Sequence, residues 1–166
     1  MAIEIERRFL VKDPGAAMAA AGASLSITQG YFGRVLGFSV RVRLQIDEAG
    51  NRHGFLTFKG PRHGCCRQEF EYHVAPDQAE LALAKLSPEQ LILKTRYLVP
   101  GADGLVWAVD RFAGRNSGLV LAEVELETPH QWVEMPAWLG QEITSDCRFG
   151  NSRLAKVPVV AHAVAA

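Results

Sequence analysis

The chain has 166 residues, 48% of them hydrophobic and 22% charged, and its 18 Lys and Arg balance 18 Asp and Glu. This composition describes one soluble globular domain that can bury a core without disulfides or a structural metal. A net charge of zero excludes a general electrostatic attraction to nucleic acid or anionic membranes, so any anion site must be local. The three cysteines lack a Cys-x-x-Cys spacing, which argues against a disulfide framework or zinc cluster and favours a reducing cytoplasm.

Alternation of apolar and polar residues predicts about eight strands, at 2 to 11, 29 to 32, 38 to 46, 53 to 60, 67 to 74, 91 to 99, 105 to 112 and 119 to 127. Short helices are predicted at 15 to 23, 76 to 86 and 132 to 139. An Ala- and Val-rich tail, 157 to 166, is expected to be loose. The acidic N-terminus is unlike a signal peptide, and no apolar run reaches the roughly 18 residues of a membrane span. The pattern indicates a mostly β protein of the α+β class, with one domain over 1 to 156.

The polar faces of these strands sort acids and bases by strand. The acid pairs are Glu4/Glu6, Glu69/Glu71 and Glu123/Glu125, and the base pairs are Arg41/Arg43 and Lys94/Arg96, with Arg8, Lys59 and Arg67 besides. If the sheet closes on this charged face, these residues line a wet interior while short helices cover the apolar face outside. For any single pair, a solvated strand face is the alternative.

The acid pairs predict a metal site. Two such pairs on neighbouring strands bring four carboxylates together, and like charges about 5 Å apart repel by about 3 kcal/mol at an effective dielectric of about 20. A cation relieves that repulsion, and oxygen-only ligands favour Mg²⁺ or Mn²⁺. Closing the first strand onto the last would place Glu4 and Glu6 beside Glu123 and Glu125, which is the preferred site.

The bases predict the other partner. The chain has 13 Arg against 5 Lys, and a planar guanidinium can bind two oxygens of one phosphate. Several such groups in one cavity require several negative charges. A metal site facing them is suited to a polyphosphate, so the expected chemistry is phosphoryl transfer.

Spaced motifs from about residue 2 to 156 resemble the CYTH superfamily, the triphosphate tunnel metalloenzymes. EIERRFLV resembles the family's ExExK signature, and SVRVRL, LTFKG, RQEFEY, LKTRYLV, VDRF and LAEVELE follow in the family's order. The resemblance implies a closed eight-stranded antiparallel β-barrel, or tunnel, that binds a small-molecule triphosphate with Mg²⁺ or Mn²⁺. Small bacterial members of this size mostly resemble inorganic triphosphatases.

Carried over by position, the resemblance implies a role for each charged residue. The implied metal ligands are Glu4, Glu6, Glu123 and Glu125; the implied phosphate-binding residues are Arg41, Arg43, Lys59, Arg67, Lys94 and Arg96; Glu69, Glu71 and Asp110 would orient bases or help bind a second metal. No residue is assigned as general base. The turns at 33 to 37 and 60 to 64 are expected to form rims of the tunnel.

Position 8 departs from the family, because Arg8 replaces its signature Lys. Arginine keeps its proton, so a role in charge stabilisation survives whereas a role in proton transfer does not. Tyr31 is a second candidate catalytic residue, able to hydrogen-bond Arg8 or the attacking water; a buried or rim tyrosine is the alternative.

The expected reaction is hydrolysis of inorganic tripolyphosphate to diphosphate and phosphate. Thiamine triphosphate or a nucleotide, including an adenylate cyclase reaction, is the enzymatic alternative, with Trp107 or Phe112 as candidates for a rim aromatic. A protein that binds polyphosphate without hydrolysing it is the alternative of another class. No nucleic-acid or membrane partner is expected, and the oligomeric state is left open, with a homodimer as one alternative.

Overall fold

A computed structural model describes residues 2–159 and shows a mostly β architecture. The strands are β1 (Ala2–Val11), β2 (Ala23–Val35), β3 (Phe38–Asp47), β4 (Arg52–His63), β5 (Cys66–Val74), β6 (Leu91–Pro100), β7 (Val106–Phe112), β8 (Val120–Glu125) and β9 (Leu139–Glu142). The helices are α1 (Pro14–Ala19), α2 (Pro76–Leu83) and α3 (Asn151–Lys156), with short 3₁₀ turns at Pro88–Gln90, Gly114–Asn116 and Cys147–Phe149.

Eight strands close into an antiparallel barrel. Their order is β5-β4-β3-β2-β6-β7-β8-β1, and β1 closes the circle because residues 6 to 10 pair with β8 while residues 2 to 5 pair with β5. The short β9 pairs with the end of β1 beyond β5. The prediction of a closed eight-stranded antiparallel barrel with short outer helices is therefore confirmed.

Apolar side chains point outward from the barrel and are covered there. Phe9 and Trp107 pack against Trp138 on one side, with ring centroids 5.6 Å (Phe9–Trp107) and 5.7 Å (Trp107–Trp138) apart. On another side α2 covers β3 and β4. A Cβ at Gly30 of β2 would lie 2.2 Å from the Leu86 side chain, so a larger residue there would force Leu86 to shift. Covering the outside leaves the inner face to the charged residues.

The helix predicted at 132 to 139 is wrong. Residues 132–138 are irregular and β9 begins at Leu139. Pro136 cannot donate a backbone hydrogen bond inside a helix, and the backbone N–H of Glu134 instead binds Asp103 at 3.0 Å. The segment still buries Val133 and Trp138 in the core, so its apolar spacing reflects packing rather than helical periodicity.

Other boundaries also differ from the predictions. The second strand begins at Ala23, six residues before the predicted start, because Leu25 and Ile27 continue the alternation that leads to Gln29. The C-terminal helix α3 was not predicted. Residues 160–166 of the predicted loose tail lie outside the described residues. No helix within residues 2–159 is long and apolar enough to cross a membrane.

Candidate active site

The inward faces of the strands enclose a cavity of about 710 Å³. Its basic lining residues are Arg8, Arg34, Arg41, Arg43, Lys59, Arg62, Arg67, Lys94 and Arg96, and its acidic ones are Glu4, Glu6, Glu69, Glu71, Glu123 and Glu125. Tyr31, Ser39, Asn151 and Ser152 also contribute to the wall. Nine bases against six carboxylates make this cavity attractive to a polyanion. Every predicted site residue except Asp110 lines it.

Asp110 lies beneath the cavity wall, 1% exposed, and binds two of the bases. It accepts hydrogen bonds from Arg96 at 2.7 Å on each oxygen and from Lys94 at 2.5 Å. Burial alone would raise the pKa of Asp110, but Arg96 and Lys94 lower it to about 2. Burial lowers the pKa of Lys94 to about 8 although Asp110 opposes the shift. Asp110 therefore positions these two bases, and its oxygens are already occupied.

The opposite wall holds Arg41 and Arg43 over Glu71. Glu71 accepts from each arginine at 3.0 Å and from the Thr57 hydroxyl at 2.8 Å. Burial favours the neutral carboxyl, but Arg43, Thr57 and Arg41 together lower the pKa of Glu71. Arg43 also stacks over Phe55, with its guanidinium carbon 4.6 Å from the ring centroid. Glu71 thus holds both arginines with their charges in the cavity.

A second cluster of ion pairs surrounds Lys59 of β4 and involves residues of β5 and β1. The Lys59 ammonium lies 2.6 Å from Glu69 and 2.9 Å from Glu4. Burial lowers the pKa of Lys59, and the nearby Arg41 and Arg67 act in the same direction. Glu4 also forms a close ion pair with Arg67. Glu69, predicted to orient a base or help bind a second metal, therefore contacts Lys59, one of the predicted phosphate-binding residues.

Glu6 is the most crowded carboxylate of the site. It is 5% exposed, and its side chain contacts Arg62 closely and Arg67 at 3.4 Å. Burial raises the pKa of Glu6, and the negative charges of Glu123 and Glu4 raise it further. A cation placed among these carboxylates would relieve that repulsion.

Glu123 and Glu125 complete the predicted metal site from β8. In the register of β1 and β8, Glu125 lies directly opposite Glu6, and Glu123 lies opposite Arg8. Glu123 accepts from Arg96 at 3.0 Å. The Glu125 side chain is exposed to the cavity and contacts no base within the described residues.

The donor chemistry of this corner fits a hard divalent cation. All candidate ligands are carboxylate oxygens, the crowding of Glu6 by Glu123 and Glu4 favours added positive charge, and Glu125 is free to coordinate. Among residues 2–159, no three such side chains already converge as a metal cage, since Glu4 and Glu6 bind bases. Their carboxylates would have to turn from these bases to ligate a metal.

Arg8 is held by the C-terminal part of the chain. Its two terminal nitrogens donate to the carbonyls of Phe149 at 3.1 Å and Thr144 at 3.2 Å. Its Nε lies 3.8 Å from Glu6 and is buried without a hydrogen-bond partner in the described residues. The Arg8 guanidinium therefore lies inside the site, with its terminal nitrogens hydrogen-bonded to these two carbonyls.

Tyr31 also lines the cavity, and its hydroxyl accepts a hydrogen bond from Gln29 at 2.9 Å. The predicted hydrogen bond between Tyr31 and Arg8 is not formed, because Arg8 donates to main-chain carbonyls. Burial raises the pKa of Tyr31 to about 12. Its hydroxyl therefore stays protonated near neutral pH and can donate, but it cannot act as a base.

Arg34 and Arg62 were missed by the sequence analysis although both line the cavity. Each follows a break in strand register, between Tyr31 and Gly33 in β2 and between Lys59 and Arg62 in β4. Such bulges change which residues face inward, so a strict alternation cannot find these two arginines. The only available signal was their place in the two turns predicted as rims.

Comparisons with known proteins agree with this geometry. The CYTH domain matches residues 2–158. An inorganic triphosphatase of Acetivibrio thermocellus is 38% identical over 158 residues, 95% of this chain and 96% of the relative, and one of Nitrosomonas europaea is 36% identical, covering 92% and 96%. A crystal structure of an inorganic triphosphatase superimposes with a TM-score of 0.63 at 30% identity, covering 96% of this chain and 99% of the other. The chain belongs to the CYTH domain family.

Proposed function

We propose that the protein is a divalent-metal-dependent hydrolase that converts inorganic tripolyphosphate to diphosphate and phosphate. The observation that carries the proposal is a closed tunnel in which nine bases surround a cluster of carboxylates. Both named relatives, which align over more than nine tenths of the chain, are inorganic triphosphatases. A tripolyphosphate supplies the several negative charges that such a tunnel needs.

In this proposal the bases bind the phosphates and stabilise the transition state. The guanidinium groups of Arg41, Arg43, Arg67 and Arg96 and the ammonium groups of Lys59 and Lys94 bind phosphoryl oxygens, on which charge is spread in phosphoryl transfer. Glu71 and Asp110 fix four of these bases before substrate arrives. Such preorganisation removes a reorganisation cost during the reaction.

Glu4, Glu6, Glu123 and Glu125 are the proposed ligands of Mg²⁺ or Mn²⁺. When bound, the metal would neutralise phosphoryl oxygens and make the terminal phosphorus more susceptible to attack by water. Glu4 and Glu6 would have to turn from the bases that they now contact in order to hold the metal, and those bases would then be available to bind phosphate.

The alternatives receive less support from the site. Trp107 is fully buried against Phe9 and Trp138, and Phe112 is 3% exposed beneath Lys94, so neither can stack on a nucleobase or thiamine ring. The non-catalytic alternative depends on Arg8, and the structure keeps the Arg8 charge inside the site. We also propose a reducing, cytoplasmic location, in keeping with three free cysteines.

Phosphate release from a panel of tripolyphosphate, thiamine triphosphate and ATP separates the candidates. With Mg²⁺ or Mn²⁺ we expect kcat/KM for tripolyphosphate to exceed the other values by at least about ten-fold, since the tunnel recognises phosphates alone. EDTA should abolish the release. Tight tripolyphosphate binding in a calorimeter with no phosphate release under any metal would support the binding protein instead.

We expect Arg8→Lys to raise kcat by about ten-fold or more. The shorter side chain would place its ammonium near the present Cζ, one bond short of the terminal nitrogens that donate to the carbonyls of Phe149 and Thr144, and reactive geometry is sensitive to shifts of about 1 Å. Steady-state rates with tripolyphosphate test this prediction. Arg8→Met is the matched control and should lower kcat, because it removes the charge. A rate and pH profile of Arg8→Lys identical to those of the starting protein would contradict the prediction.

A further inference from the structure

Arg34 is the exception among the cations of the tunnel. The other eight lining bases each have a carboxylate within 4.0 Å, whereas Arg34 has none among residues 2–159. Its Nε donates to the carbonyl of Gly37 at 3.2 Å, within the same hairpin. Its terminal nitrogens are thus available to an anion without the loss of an ion pair.

A bulge in β2 turns this side chain inward. Tyr31 pairs with Arg41, and the next pair is Gly33 with Val40, so Phe32 is the extra residue. Arg34 therefore lies opposite Ser39, which also lines the tunnel. Without the extra residue in the count, Gly33 would occupy that place and Arg34 would face outward.

The register also fixes the depth of Arg34 in the tunnel. Ser39 lies two residues before Arg41 on β3, which corresponds to roughly 6.8 Å along the strand. Lys59 also lies opposite Ser39, so Arg34 shares the layer of Lys59, on the hairpin side of Arg41 and Arg43. Arg34 adds to this layer a cation without a carboxylate partner among the described residues, whereas Lys59 is paired with Glu4 and Glu69. A short anion can be satisfied by the inner bases, whereas a longer one extends towards Arg34.

We infer that Arg34 is a substrate-binding residue that contacts a phosphate at the hairpin end of the tunnel and selects polyphosphates longer than diphosphate. The inference rests on the proposed function, because it assumes that the tunnel binds polyphosphate. The contact contributes to binding, and Arg34 itself has none of the proposed metal ligands within 4.0 Å among the described residues. Arg34 therefore controls KM and chain-length preference rather than kcat.

Calorimetric binding to Arg34→Gln in EDTA tests the inference without hydrolysis. We expect the Kd for inorganic tripolyphosphate to rise about ten-fold, the loss of one charge-assisted contact, and the Kd for diphosphate to change by less than about two-fold. With metal present, KM for tripolyphosphate should rise while kcat stays within about two-fold. The matched control is Arg111→Gln, which removes an exposed arginine that does not line the tunnel and should change neither Kd.

Three results would overturn the inference. An unchanged Kd for tripolyphosphate in Arg34→Gln would show that Arg34 makes no contact. Equal weakening of tripolyphosphate and diphosphate would show a general electrostatic effect without length selection. No tripolyphosphate binding by the unsubstituted protein, with or without metal, would overturn the proposed function as well, whereas the first two results leave that function intact.

Discussion

Replacement of Glu125 by Gln should lower the turnover of tripolyphosphate by at least about 100-fold. The substitution keeps the size of the side chain but removes the carboxylate charge that faces Glu6 across β1 and β8. Loss of one such electrostatic group costs about 2.7 kcal/mol or more of transition-state stabilisation. Because Glu125 contacts no base within residues 2–159, the fold should not depend on it. Steady-state kcat at saturating Mg²⁺ and Mn²⁺ measures the effect.

Glu127→Gln is the control for this experiment. Glu127 is exposed, lies two residues beyond Glu125 and does not line the cavity, so its loss should leave kcat within about two-fold. Urea unfolding of both variants should match that of the starting protein. Full turnover in Glu125→Gln would remove this residue from the metal site.

Asp110→Asn is the substitution that we expect to damage the fold most. Lys94 and Arg96 would stay buried without their shared carboxylate, and breaking a buried ion pair from one side costs about 3 to 5 kcal/mol. For a chain of this size, the loss corresponds to a fall in Tm of roughly 10 °C. Urea unfolding and thermal melting at neutral pH measure it directly.

The pH dependence gives a second readout on Asp110. Its pKa in the folded protein is about 2, below the value of about 3.9 expected on unfolding, so its contribution to stability is complete above about pH 4 and is lost as the pH falls towards 2. Asp110→Asn should remove this contribution at every pH. The control is Asp77→Asn, since Asp77 is exposed beside Arg52 and should change stability by less than about 1 kcal/mol. Equal stability of the two variants would contradict a stabilising role for the ion pairs of Asp110 with Lys94 and Arg96.

Regular alternation explains why so much of the fold and site could be predicted. Arg41 and Arg43 on β3, and Glu123 and Glu125 on β8, keep strict period two, so their shared face was visible in the sequence. The helix predicted at 132 to 139 failed because apolar residues in a covering loop can imitate helical spacing. A sequence pattern alone does not distinguish a helix from an irregular segment whose apolar residues are buried by tertiary packing.

Two kinds of site information depend on three-dimensional structure. Arg34 and Arg62 follow bulges that shift the inward face, and nothing in the residue pattern marks the extra residue. Asp110 was predicted on the charged face of its strand, yet it is 1% exposed beneath Lys94 and Arg96, and the residue pattern does not show that burial. Alternation predicts which face a side chain takes, but it does not predict how deep the side chain lies.

The most direct test of the proposed reaction is ³¹P NMR of inorganic tripolyphosphate incubated with the protein. The proposed function predicts that the tripolyphosphate signals are replaced by those of diphosphate and orthophosphate in equal amounts, with Mg²⁺ or Mn²⁺ present and not with EDTA. Unchanged tripolyphosphate in the presence of both metals, or the same products formed in EDTA, would contradict a metal-dependent tripolyphosphatase.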